Sequence, residues 1–163
     1  MIKILIKRPE YGLFRDMNTE DPEASAESDP CILCAFNLGE SADEAVKSAV
    51  LYSFHMHLPI MILCSYRLIQ SKRSEEVQAV KKRYEKMAVD KWKHIGNIQP
   101  GIKLSFRTEI GFLSDRLEAF IKLGKAKMLI VSNSTAADIY EHKNLTLKEF
   151  VKKINVPVLV VPE

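Results

Sequence analysis

The chain has 163 residues, 47% of them hydrophobic and 28% charged, which is enough for one compact core and too little for two ordinary domains. Its formal net charge of +3 is a small difference between 24 basic and 21 acidic side chains, so attraction to nucleic acid or anionic lipid would require clustering rather than excess. There is no apolar run of about 18 residues, and residues 2–6 are too short for the apolar core of a signal peptide, so a cytoplasmic protein without membrane insertion is expected.

Residues 2–7 (IKILIK) form a short β-prone run, and residues 15–30, acidic and rich in Ser, Ala and Pro, read as a flexible linker. The expected division is 1–30, strand and linker, followed by an α/β domain over 31–163. From Cys31 onward, short apolar runs alternate with longer amphipathic segments, the pattern of repeated β–α units around a parallel sheet. Residues 31–36 (CILCAF) are a continuous apolar run of strand length, as a strand buried on both faces requires. Ser41 with Glu44 reads as a capping box opening a helix over 42–57, ended by Pro59. Residues 60–64 (IMILC) are the second strand.

Ser74 opens a long charged helix ending near Gly96, with Val77, Val80, Tyr84, Met87 and Trp92 at roughly helical spacing. The basic stretch within and before it (Lys72, Arg73, Lys81, Lys82, Arg83, Lys86, Lys91, Lys93) is interspersed with Glu75, Glu76, Glu85 and Asp90 and reads as a solvated helix face, not a nucleic-acid patch. Residues 102–108 alternate apolar and polar as a half-exposed strand does. Ser114 is placed as the cap of the next helix, residues 128–131 (MLIV) are the fourth strand, a polar loop follows, and a helix near 145–154 leads to a fifth strand at 156–161.

This order, together with "ILCAFNLGESADEAVKSAV" and "NVPVLVVPE", resembles the universal stress protein family over roughly residues 31–163, most of the chain. The resemblance implies an open, doubly wound, five-stranded parallel α/β sheet with helices on both faces, and a homodimer formed edge to edge through the last strand, here Val158, Leu159, Val160 and Val161. Nucleotide-binding members carry an acidic residue after the first strand and a glycine-rich pattern after the fourth. Here those places hold Asn37 and Ser132-Asn133-Ser134-Thr135-Ala136-Ala137-Asp138, and residues 125–163 contain no glycine, so the loop lacks the residues that aim successive N–H groups at a triphosphate. The chain resembles a degenerate branch of the family: a dimeric stress-response or regulatory binding module with an unidentified protein partner, no cofactor and no catalytic activity. Two alternatives remain open, a weak AMP- or ATP-binding member and the soluble regulatory domain of a cation/proton antiporter.

Ligands of open parallel sheets bind beyond the carboxyl ends of the strands where strand order reverses, which makes Asn37, Ser65, Ser132, Asn133, Ser134 and Thr135 the candidate rim site for a base or ribose. Other constellations are weaker. Cys31 and Cys34 have redox-pair spacing but lie within a strand, where side chains three apart point to opposite faces; with Cys64 they read as free thiols in apolar runs. His55, His57 and His94 fall near helix ends and complement the dipole, and His142 lies with Asp138 and Glu141 where a loop metal site is conceivable but surface charge is the plainer reading. No metal site is expected.

Overall fold

The computed structural model describes residues 6–7, 29–68, 74–96 and 102–162. Its elements run β1 (Ile6–Lys7), β2 (Cys31–Asn37), α1 (Asp43–Met56), β3 (Ile60–Tyr66), α2 (Ser74–Gly96), β4 (Leu104–Ile110), α3 (Leu113–Ile121), β5 (Ala126–Ser132), α4 (Asn133–Lys143), α5 (Leu147–Ile154) and β6 (Val158–Val161). All strand pairings are parallel, in the order β1-β4-β3-β2-β5-β6. The five expected strands are all present, and two residues of the N-terminal run add a sixth at the β4 edge by pairing Ile6 with Phe106 and Lys7 with Arg107. The other residues of the N-terminal run, and 8–28 of the linker, lie outside the described residues.

The central strand β2 explains why its sequence is apolar without alternation. Ile32, Cys34 and Phe36 face one core with Ala45, Val46 and Ala49 of α1 and Trp92 of α2, while Cys31, Leu33 and Ala35 face a second core with Leu113 and Leu117 of α3, Ile139 of α4 and Phe150 of α5. Both faces of the sheet are thus covered, as in doubly wound folds. Cys31 and Cys34 fall in different cores, and all three cysteines are buried and free. Burial pushes the Cys31 thiol up to about 11 and those of Cys34 and Cys64 to about 12, so none offers a thiolate near neutrality. In β4 the expected alternation holds, with Leu104 and Phe106 buried and the Phe106 ring 5.1 Å from that of Trp92.

Three local expectations are corrected. The polar stretch after β5 is a helix, not a loop: Ser132 takes an extended backbone (φ −78°, ψ 167°) and its hydroxyl accepts from the Thr135 N–H, nucleating α4 directly at the strand end, and Asn144 stops it in the left-handed region (φ 52°). The cap of α1 is Ala42 without a side-chain bond, so Ser41 and Glu44 form no capping box, and α3 is capped at Phe112, leaving Ser114 inside the helix with a buried, unpartnered Oγ. The capping box that does form is at α5, where Thr146 and Glu149 bond reciprocally. Glycine matters at two turns: Gly111 (φ 129°) carries the chain from β4 to α3, where a Cβ would meet the Arg116 guanidinium at 3.2 Å, and Gly124 (φ 77°) carries it from α3 towards β5.

Candidate functional site

Strand order reverses between β2 and β5. The connection leaving β2 crosses with α1 on one face, and the connection leaving β5 crosses with α4 and α5 on the other, so the carboxyl ends of these strands part and leave a crevice. Asn37 ends β2, Ser65 lies beside it on β3 and Ser132 ends β5. Because β5 passes into α4 with no residue between them, the first turn of α4 stands in the crevice with Thr135 fully buried.

Four of the six expected rim residues are joined in one hydrogen-bonded chain, and the residue on which it converges is one that the sequence reading did not select. Ser132 Oγ donates to Thr135 Oγ1 at 3.2 Å, and Thr135 Oγ1 donates to Glu40 Oε2 at 2.7 Å. From the other side Ser65 Oγ donates to Asn37 Oδ1 at 3.2 Å, and Asn37 Nδ2 donates to Glu40 Oε1 at 2.9 Å. The second proton of that amide faces Asp138 Oδ2 at 3.2 Å. Both donors of the Asn37 amide are therefore spent on carboxylates, and both oxygens of Glu40 are held by the chain's own groups. Asn133 is exposed at the first position of α4 and Ser134 is half-buried at the second.

Glu40 reaches this position from the short β2–α1 turn. Its amide donates to the Asn37 carbonyl at 3.0 Å and the Leu38 amide to the Ser65 carbonyl at 2.8 Å, which folds the turn back over the strand ends. Lys91 of α2 closes it from the other side, donating to the carbonyls of Leu38 (3.0 Å) and Glu40, with its ammonium 5.0 Å from the centre of the Phe36 ring. Lys91 is therefore not part of a solvated face: it is half-buried, and burial holds its pKa below the usual lysine value against the raising influence of Cys64, Glu40 and Asp43. The carboxylate of Glu40 lies over the first turn of α4, where the positive end of the helix dipole favours an anion.

The remaining candidates are dispersed. His142 belongs to α4, stacks on Phe112 at 3.5 Å and pairs with Asp115 at 3.4 Å, whereas Asp138 faces Asn37, so the two do not share a metal site. Lys143 also donates to Asp115, and those contacts hold the Asp115 carboxyl below its ordinary value. His57 caps α1 with a left-handed backbone (φ 54°), and His94 pairs with Asp43 at 3.2 Å. Among the described residues no three His, Cys, Asp or Glu side chains gather as a metal would need, and no helix is long and apolar enough to cross a membrane. A shallow cavity of about 560 Å³ lies at the opposite, amino-terminal end of the strands, lined by Phe54, Leu58, Pro59 and Ile102, and its charged pair, Asp29 and Lys103, is engaged with itself at 3.0 Å.

No protein-family profile matches the sequence, and no curated protein matches it significantly. Solved structures do. A protein of the universal stress protein family from Burkholderia pseudomallei is 17% identical, with 83% of this chain aligned to 98% of that one and a TM-score of 0.55. Universal stress protein UspA from Lactobacillus plantarum is 11% identical over 82% of this chain and 99% of its own, with a TM-score of 0.58. A universal stress protein in complex with cAMP is 16% identical over 80% and 96%, with a TM-score of 0.54. At these identities the likeness is one of fold: the chain has the universal stress protein fold.

Proposed function

We propose that the chain is a dimeric stress-response or regulatory binding module of the universal stress protein type, without catalytic activity, whose crevice does not hold ATP in the way the family's nucleotide-binding members do. One observation carries this reading: the place where a phosphate would meet the first turn of α4 is held by the Glu40 carboxylate, bonded to Thr135 and Asn37. No loop separates β5 from α4, so the backbone N–H groups on offer are those of the first turn of α4, one of them already taken by Ser132, and there is no glycine-rich loop to wrap a triphosphate. Asp138 adds a second carboxylate, and the nearby cation, Lys91, is turned to carbonyl oxygens. At a separation of 4–5 Å and an effective dielectric of about 20, each like-charge contact costs a phosphate about 3–4 kcal/mol. That corresponds to a loss in affinity of about two to three orders of magnitude per contact.

Dimerisation through the last strand belongs to the same proposal. β6 is the end strand of the sheet, and Val158, Leu159 and Val160 are only partly buried within the chain. A second reading, weak binding of an adenine monophosphate, is favoured by the gathering of Asn37, Ser65, Ser132 and Thr135 and by the cAMP complex formed by a protein of this fold. Calorimetric titration with ATP, ADP and AMP, with and without magnesium, separates the two. Absence of heat with all three from folded protein is the expected result, saturable AMP binding alone supports the second reading, and saturable ATP binding overturns the first.

A further inference from the structure

Glu40 is held in the crevice by its side chain and over the crevice by its backbone, and the two attachments are of different kinds. The carboxylate takes Thr135 Oγ1 and Asn37 Nδ2, the same sort of donors that a ligand oxyanion would take. The carbonyl, together with that of Leu38, takes the Lys91 ammonium. Gly39 lies between those two carbonyls, is exposed, and has nothing within 4 Å of where a Cβ would stand; Leu38 before it and Ala42 after are buried in the core, so any swing is confined to the three residues 39–41 between those anchors. Withdrawal of the turn would free two neutral donors and the α4 N-terminus together, and would release Lys91 from the Glu40 carbonyl.

We propose that Glu40 is an intramolecular competitor for this crevice: its carboxylate stands in for a ligand oxyanion on α4, and the crevice accepts a phosphate monoester only when the β2–α1 turn carries Glu40 away. This rests on the reading of the crevice as closed to nucleotides in the resting chain, and it adds the cause and the means of reversal. Of the two carboxylates in the crevice, Glu40 is the one bonded to the first turn of α4, and its removal would leave Asp138 as the remaining like charge. Lys91 couples to it, because the cation that pins the turn is the one that gains an open coordination direction when the turn leaves. Glu40 already acts on that cation, being one of the groups that raise the Lys91 pKa against the effect of burial.

The test uses the full chain as wild type, Glu40→Ala, Glu40→Gln and the double variant Glu40→Ala with Lys91→Met, titrated calorimetrically with inorganic phosphate and with AMP. Folding of each variant is checked by far-ultraviolet circular dichroism and by emission of the buried Trp92. Neither Glu40 change touches the backbone bonds to Lys91, so both variants should fold. The expected result is AMP affinity at least about 30-fold above wild type in Glu40→Ala, from removal of a like charge and release of the Thr135 hydroxyl. Glu40→Gln should gain less, since its amide still fills the space, and Lys91→Met should remove part of the gain. Folded Glu40→Ala and Glu40→Gln that bind phosphate and AMP no better than wild type would overturn the competitor role and leave the nucleotide-free reading intact. Tight ATP binding by the wild type itself would overturn both.

Discussion

Replacing Asn37 with aspartate changes one amide nitrogen to oxygen and should be among the most costly isosteric changes in this chain. The amide donates to Glu40 at 2.9 Å and to Asp138 at 3.2 Å, so Asn37→Asp loses two bonds to carboxylates and sets a third carboxylate between them. Hydrogen bonds to charged groups contribute about 1.5–3 kcal/mol each, and the lower end applies in this half-buried crevice, giving about 3 kcal/mol for the pair. Each new carboxylate contact, relaxed to about 5 Å, adds about 3 kcal/mol at an effective dielectric of 20, part of which outward rotation of Asp138 would relieve. With the Asp138 contact relieved the total is about 6 kcal/mol, a large share of the ordinary stability of a domain. It should lower the melting temperature by roughly 12–24 °C at neutral pH.

The pH dependence gives the reasoning a sign. An aspartate crowded by like charges has a folded-state pKa above its unfolded value, so the folded state binds the extra proton and the penalty is relieved as pH falls through the folded pKa. Asn37→Asp should therefore approach Asn37→Ala in stability near pH 4.5 and fall well below it at pH 7.5, measured by urea unfolding followed at Trp92. An Asn37→Asp protein within 0.5 kcal/mol of wild type at pH 7.5 would mean that the Glu40 and Asp138 carboxylates do not converge on residue 37 in solution.

Three further outcomes are expected. Since burial raises the Cys34 thiol from 9.0 to about 12, the folded state keeps a proton that the unfolded state loses above pH 9, and stability must fall as pH rises from 9 towards 12. Urea unfolding in reductant should show Cys34→Ala flattening that fall by about 1.4 kcal/mol per pH unit, and an unchanged slope would refute the buried-thiol linkage. Thr146→Ala breaks the capping box of α5 and should cost about 1 kcal/mol, read as a melting shift of about 2–4 °C that Thr146→Ser largely restores. Val160→Lys puts a charge on the end strand and should convert a dimer to single protomers by light scattering; an unaltered dimer would place the interface elsewhere than β6.

The fold was legible because burial on both faces leaves a compositional mark: CILCAF in β2 and IMILC in β3 admit no polar residue, and the alternation in β4 marks the thinner edge of the sheet. The helix α4 was missed because its sequence, NSTAADIYEHK, carries little amphipathic pattern, with Thr135 and Ile139 as its buried positions. Its signals were local instead: Ser132 three residues before Thr135 as a cap, and Asn144 as a left-handed stop. The rim residues Asn37, Ser65, Ser132 and Thr135 were legible from topology, since strand ends at a reversal point must meet. Glu40 and Asp138 were not, because their contacts span 95 and 101 residues of sequence and depend on how far a turn folds back over the strands. Lys91 was lost among its neighbours, as one lysine of a charged helix gives no sign that it turns inward.

The crevice has an electrostatic requirement that follows from the fold before any ligand is considered. A reversal in strand order parts the ends of β2 and β5, and the first turn of a helix started there has unsatisfied N–H groups and a positive end facing the gap. Something negative or oxygen-rich must answer it: solvent, a ligand, or the chain. Ser132 answers one N–H as the cap, and Glu40 supplies the charge from the facing turn. In this sheet the chain answers the helix end with a glutamate three residues beyond β2, and loss of that glutamate would leave the first turn of α4 and the buried Thr135 hydroxyl facing the gap, with Asp138 the carboxylate that remains. The geometry that makes a ligand site and the geometry that fills it are the same, and the side chain at position 40 selects between them.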